Sequence, residues 1–130
     1  MENEKVKIDH IDHFVLTVAD LDRTCDFYSR VLGMGVIVDS KSRRALTFGN
    51  QKINLHRTGL NFTLKAATAT PGAGDFCLIT KTPLEEVISH LGACGVTIEE
   101  GPVERPGAQG PMRSVYFRDP DMNLVEVSNY

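Results

Sequence analysis

The chain has 130 residues, a mass of 14.3 kDa and a formal charge of −3. Its 42% apolar and 24% charged residues are ordinary for a folded protein, which excludes intrinsic disorder. No basic footprint for nucleic acid is visible, and no apolar run approaches the ~20 residues of a membrane span. The first residues, Met1 to Lys5, lack the apolar stretch of a secretion signal, which predicts a cytoplasmic protein. Three cysteines, Cys25, Cys77 and Cys94, are an odd number without C-x-x-C spacing. They are expected to be free thiols packed as small hydrophobes, with no bearing on folding.

Residues 8–18 read IDHIDHFVLTV, where Phe14, Leu16 and Val18 alternate with His13, Val15 and Thr17. That period of two predicts a strand with two distinct faces. A helix follows, with Asp20 as N-cap, Phe27, Tyr28, Val31 and Leu32 as the apolar stripe, and Gly33 as the stop. Three short strands are expected at 36–39, 43–48 and 52–56, the last two joined by Gly49-Asn50. Residues 57–74, rich in Thr, Ala, Gly and Pro, read as a connection.

The pattern then returns. A strand is expected at 75–80, and a helix after it with Thr82 as N-cap, Pro83 at its first position and Glu85 closing a capping box. Leu84, Val87, Ile88 and Leu91 form its stripe. Strands are expected at 96–99, 114–118 and 124–128, with residues 100–111 (EGPVERPGAQGP) as a loop. Aligned without gaps, 13–33 falls on 75–95, so the order β-α-β-β-β occurs twice. Two copies indicate a duplicated module rather than a solenoid. One domain over 8–130 is expected, with modules at about 8–57 and 74–130, sharing their cores around a cavity.

Three residues on the strands carry candidate chemistry. His13 lies within the first strand of module one, His56 ends its last strand, and Glu126 sits inside the last strand of module two. An ionised glutamate in a strand interior is costly unless paired or metal-bound. Two imidazoles and a carboxylate suit a divalent transition metal with open positions. The plainer readings are hydrogen-bonded structural histidines and a glutamate on a wet sheet face. His10 and His90 lack a corresponding position.

The chain resembles the vicinal-oxygen-chelate superfamily, which includes glyoxalase I, fosfomycin-resistance proteins, methylmalonyl-CoA epimerase and extradiol dioxygenases. The resemblance rests on Ile11-Asp12-His13, Phe27-Tyr28, Leu32-Gly33-Met34, the run from Tyr116 to Asp121, and Asn123-Leu124-Val125-Glu126. Within that superfamily it is most similar to the group of glyoxalase-domain-containing protein 5 and its bacterial relatives. The residues 48–56, Lys65-Ala66-Ala67 and 99–103 carry the closer match.

The resemblance implies an α+β fold of two βαβββ modules forming a curved mixed sheet around a cavity. It implies metal ligands His13, His56 and Glu126, with Zn, Ni, Mn or Fe(II) as the ion. The fourth slot falls on Asp75, or on Cys77 with a shift of two, where many members have histidine. Met122 stands where the turn usually has glycine. The implied chemistry is chelation of neighbouring substrate oxygens and stabilisation of an enediolate or oxyanion, with Glu126 as ligand or proton carrier. The expected activity is that of a metal-dependent lyase or isomerase of lactoylglutathione-lyase type, acting as a homodimer on a small molecule. Two alternatives stay open: a metal-free sequestering protein of the bleomycin-resistance type, and an Fe(II) ring-cleaving dioxygenase. Arg105 in the Gly/Pro-rich loop is a candidate lid residue, and Arg113, Arg118 and Lys65 are candidates for holding a carboxylate or phosphate.

Overall fold

A computed structural model describes residues 5–59 and 64–130. The part of the expected connection at 60–63 and the first four residues lie outside the described residues. The first module runs β1 (His13–Val18), α1 (Leu21–Leu32), β2 (Gly35–Val38), β3 (Arg44–Phe48) and β4 (Gln51–Arg57). The second runs β5 (Asp75–Ile79), α2 (Leu84–Ala93), β6 (Glu100–Gly107), β7 (Gly110–Arg118) and β8 (Leu124–Asn129). Each module closes one four-stranded mixed sheet, in the orders β1-β4-β3-β2 and β5-β8-β7-β6. In both, the first strand pairs parallel with the last, and the remaining pairs are antiparallel. The duplicated α+β pattern read from the sequence is therefore the fold.

Strand alternation assigns the faces. Leu16, Val18, Leu46, Ile53 and Leu55 of the first sheet are buried, as are Val115, Phe117, Val125 and Val127 of the second. These residues join Tyr28 and Val31 of α1 and Leu84, Val87 and Leu91 of α2 in one continuous core. Each of these sheets thus has a core face and an opposite, open face. Phe14 and Phe76, one from each first strand, meet with centroids 5.1 Å apart and ring planes at 56°, and tie the two modules together.

Helix α1 ends as expected. Asp20 accepts the Arg23 N–H at 3.0 Å, and Gly33 takes the left-handed conformation at φ 68°. Helix α2 departs from expectation. Pro83 occupies the cap position without a side-chain bond, and neither Thr82 nor Glu85 closes a capping box. The cap comes from β8 instead. Asn129 accepts the Leu84 N–H at 2.8 Å and donates to the carbonyls of Thr80 and Thr82. Glu85 instead pairs with Arg113 of β7 at 2.9 Å, joining the helix to the sheet.

The larger correction is at 96–111. No strand forms at 96–99. The Gly/Pro-rich stretch expected to be a loop is β6, which pairs with β7 through the two-residue turn Ala108-Gln109. Prolines misled the reading because they cannot donate to a central ladder, yet β6 is an edge strand where that loss is tolerated. Gly101 is required there, since at φ 114° a Cβ would run into the Ser114 carbonyl oxygen. Arg105 is accordingly a strand residue and not part of a mobile lid.

Candidate functional site

The first strands β1 and β5 are both sheet edges, and a cavity of about 950 Å³ lies along them. Its apolar wall includes Phe14, Leu16, Phe76 and Leu78. The β6–β7 turn closes one side, where Gln109 donates its N–H to the Tyr130 hydroxyl at 2.9 Å. His13, His56, Asp75 and Cys77 also line this cavity, whereas Glu126 is not among its lining residues.

His13 opens β1 and is half-exposed, with Nδ1 bonded to the Asp12 carboxylate at 2.8 Å. That bond, foremost, holds the Asp12 carboxyl below its ordinary range, helped by the charges of His13, His10 and Lys52. A carboxylate on Nδ1 is the arrangement that orients an imidazole for ligation through Nε2. His56 lies on the same face of β4, but four rungs away, because His13 pairs with Lys52 and Thr17 pairs with His56. Four rungs are about 13 Å along a strand. The ladder therefore offsets the two histidines of one chain along the sheet.

Glu126 belongs to the open face of the second sheet. Its rung partner across β5–β8 is Cys77, and across β7–β8 it is Tyr116. Its Oε2 accepts the Ser114 hydroxyl at 2.6 Å and the Ser128 hydroxyl at 3.3 Å. Cys77 Sγ lies 3.3 Å from the Ser128 hydroxyl. Burial pushes the Cys77 thiol up, with the Glu126 carboxylate adding to this and the Ser128 contact opposing it. Burial, followed by the Glu126 charge, also raises the Tyr116 phenol, while Arg105 over its ring at 5.6 Å opposes the rise.

The register bears on which positions correspond between modules. The gapless alignment that sets His13 against Asp75 also sets Val15 against Cys77, and their rung partners are Asn54 and Glu126. Asn54 is therefore the counterpart of Glu126, and His56 lies two residues beyond it. Among the described residues, no three His, Cys, Asp or Glu side chains of one chain gather closely enough to hold a metal ion. The individual donors still fit a metal. His13 is oriented by Asp12, and Glu126 retains lone pairs beyond those used by two hydroxyls. They are divided between two sheets.

The other expectations sort by contact. Arg113 pairs with Glu85, and Arg118 makes two bonds to Glu99 at 3.0 and 2.9 Å, so both are engaged away from the cavity. Lys65 does line the cavity, joined by Lys52 and Arg57, which the sequence reading passed over. The available signal was the strand alternation that places Lys52 on the same face as His13. His90 is structural, donating from Nε2 to the Val31 carbonyl at 2.9 Å. Of the cysteines only Cys25 is buried; Cys77 is exposed on the open face and Cys94 is intermediate, and all three are free. Met122 adopts φ 70° with its side chain exposed, the backbone conformation for which glycine is the usual choice.

Comparison with known proteins agrees with this architecture. The chain is 50% identical to Virulence protein STM3117 of Salmonella typhimurium over 129 residues, covering 99% of this chain and 90% of that one. An integron cassette protein from the mobile metagenome of V. cholerae superposes with a TM-score of 0.94 at 54% identity, covering 96% of this chain and 98% of that chain. A lactoylglutathione lyase of Arabidopsis thaliana is 30% identical over 124 residues, covering 88% of this chain and 42% of that protein. No helix among the described residues is long and apolar enough to cross a membrane. Residues 10–127 match the Glyoxalase/Bleomycin resistance protein/Dioxygenase superfamily, and the chain belongs to that family.

Proposed function

We propose that this chain is a metal-dependent lyase or isomerase of glyoxalase type, acting as a two-fold homodimer on a small substrate with neighbouring oxygens. The observation that carries the reading is the division of donors: an Asp12-oriented His13 on one sheet and a hydroxyl-bound Glu126 on the other. Both sheets leave apolar side chains exposed at this side, Val15 and Ile37 on the first and Ile79 on the second. Pairing the open face of one copy with that of a second would cover these residues and bring His13 of one copy toward the partner's Glu126. The matched lactoylglutathione lyase supports this class of activity for a relative.

His13 and Glu126 would hold the ion, with Asp75 or Cys77 as further donors. His56, displaced from the corresponding rung, stays a ligand only if it serves a different copy's site. A divalent ion supplies Lewis-acid polarisation of two substrate oxygens. Glu126 carries the proton to or from the carbon beside the carbonyl, its orientation fixed through Oε2 by Ser114 and Ser128. The Tyr116 phenol, kept protonated by its raised pKa, is a hydrogen-bond donor beside that carboxylate. Three free thiols fit a reducing compartment, and we assign the protein to the cytoplasm.

Elemental analysis with light scattering tests the reading. The expected result is a dimer mass with one metal per chain. Loss of affinity by roughly a hundredfold or more is expected in His13→Ala and Glu126→Gln, beyond the ~10–100-fold typical of outer contacts. His10→Ala is the control and keeps full metal content. His56→Ala decides whether that residue is a ligand. A monomer without stoichiometric metal would overturn the proposal. It would favour a metal-free binding protein, the reading that the large apolar-walled cavity supports by itself.

A further inference from the structure

The cavity along β1 and β5 has a charge opposite to that of the chain. Its lining carries three cations, Lys52, Arg57 and Lys65, against two carboxylates, Asp12 and Asp75, in a protein of net charge −3. Both carboxylates are answered locally. Asp12 bonds His13 at 2.8 Å, and Asp75 lies in the field of Arg118. None of the three cations has a salt-bridge partner among the described residues, while Arg30, Arg43, Arg44, Arg105, Arg113 and Arg118 all do. Three of the cations left without a salt bridge thus line one cavity, while others, Lys7, Arg23, Lys41 and Lys81, lie away from it.

The same space is walled by the mutually tilted rings of Phe14 and Phe76 with Leu16 and Leu78. A hydrated inorganic anion gains nothing from such a wall, and a neutral hydrocarbon gains nothing from the cations. A flat apolar body bearing a carboxylate uses both. We propose that the cavity selects an aromatic or similarly apolar small molecule carrying a carboxylate, held by Lys52, Arg57 and Lys65 against the Phe14–Phe76 wall. This deepens the function proposed above, resting on it for turnover but not for binding, by assigning a substrate class to the same cavity.

The test uses three probes of one size: 1-naphthoate, 1-naphthylmethanol and 1-naphthylmethylamine. The chain has no tryptophan, so naphthalene fluorescence is read without that background. Titrations are run on the full chain, once with a chelator and once with added zinc. With chelator present, 1-naphthoate is expected to bind at least roughly tenfold more tightly than the alcohol, and the amine most weakly. Arg57→Gln combined with Lys65→Gln should weaken naphthoate by roughly three- to tenfold, within the range for exposed ion pairs, while the alcohol stays unchanged. Both positions are exposed, so the fold is expected to survive; circular dichroism checks it. Equal affinities for the three probes would overturn the proposal. So would a preference for naphthoate over the alcohol that is undiminished in the double variant. A preference seen only with zinc would mean the ion, not the cationic lining, attracts the anion, which also overturns it. A preference that holds in chelator stands even if the elemental analysis finds no metal.

Discussion

The two modules share a backbone plan and differ in what that plan exposes. Strand order, parallel first-to-last pairing and a helix after the first strand are the same in both. On the core face both carry large aliphatic and aromatic residues. On the open face they diverge: the first presents His13, Lys52, Asn54 and His56, the second Asp75, Cys77, Tyr116 and Glu126, with Ser114 buried beneath the glutamate. The core face is constrained by packing against helices that occupy the same place in each module. The open face is not, so it is where one module became rich in imidazole and the other in carboxylate, thiol and hydroxyl. Duplication thus supplied two scaffolds, and the donors were divided between them.

The modules also differ in how they are secured, and that difference can be broken experimentally. Their joint includes Tyr28 of α1, whose hydroxyl donates to Asp119 at 2.7 Å. Asp119 is 4% exposed and also accepts from Asn123 Nδ2 and from the backbone N–H groups of Asp121 and Asn123. Burial first, and then Asp119, raise the Tyr28 phenol, so the hydroxyl remains a donor at any working pH. Tyr28→Phe removes that donor from a buried carboxylate and is expected to cost about 1–3 kcal/mol. Urea denaturation should show the loss as a lower midpoint with unchanged slope. An unchanged midpoint would mean that the joint does not depend on this bond.

The caps give the next largest effect. Asp20 caps α1 locally with one bond, whereas Asn129 caps α2 from a distant strand and makes three. Asp20→Ala should cost about 1 kcal/mol, a common value for a single N-cap. Asn129→Ala should cost more, about 1–2 kcal/mol, since it also leaves two carbonyls without their donor. Thermal melts of the two variants, compared side by side, check the order. The reverse order would show that α2 does not depend on the borrowed cap.

The same asymmetry explains what the sequence could and could not tell. Local signals were read correctly: the alternation in β1, the Asp20 cap, the Gly33 stop and the repeat itself. The cap of α2 is not legible locally because the residue that accepts the Leu84 N–H, Asn129, lies 45 residues away. Strand β6 is hidden because the three prolines and three glycines of residues 100–111 look like a loop until the sheet order shows an edge strand. His13 and Glu126 were visible as polar residues in strands, and their faces followed from parity. The offset of His56 was not visible, because pairing register comes from the backbone ladder and not from the position of a residue within its own strand. Lys52 and Arg57 drew no attention for a related reason: each is an ordinary surface cation until the fold places it beside an apolar wall.

The smallest effect comes from the turn between β7 and β8. Asp121 Oδ1 accepts the Ala19 N–H at 3.1 Å, linking the modules a second time, but its Oδ2 is buried without a hydrogen-bond partner. Burial, and next the nearby charge of Asp119, raise the Asp121 carboxyl above its model-peptide value of 3.8, with the Ala19 bond opposing. A carboxyl raised by folding binds its proton more tightly in the native state. Its charge therefore costs stability above the folded pKa, and the cost fades as pH falls through that value toward the unfolded one. The carboxyls of Asp12, Asp39, Glu85 and Glu99 are lowered instead and act with the opposite sign, so the wild-type profile alone is ambiguous. Asp121→Asn isolates the effect, because it retains an oxygen for the Ala19 N–H and carries no charge. The stability difference, variant minus wild type, should be most positive near pH 7 and shrink steadily toward pH 4. Paired denaturation curves across that interval measure it. A difference that grows at low pH would show that the Asp121 charge supports the joint, making the orphaned oxygen a stabilising acceptor for a group on the other module.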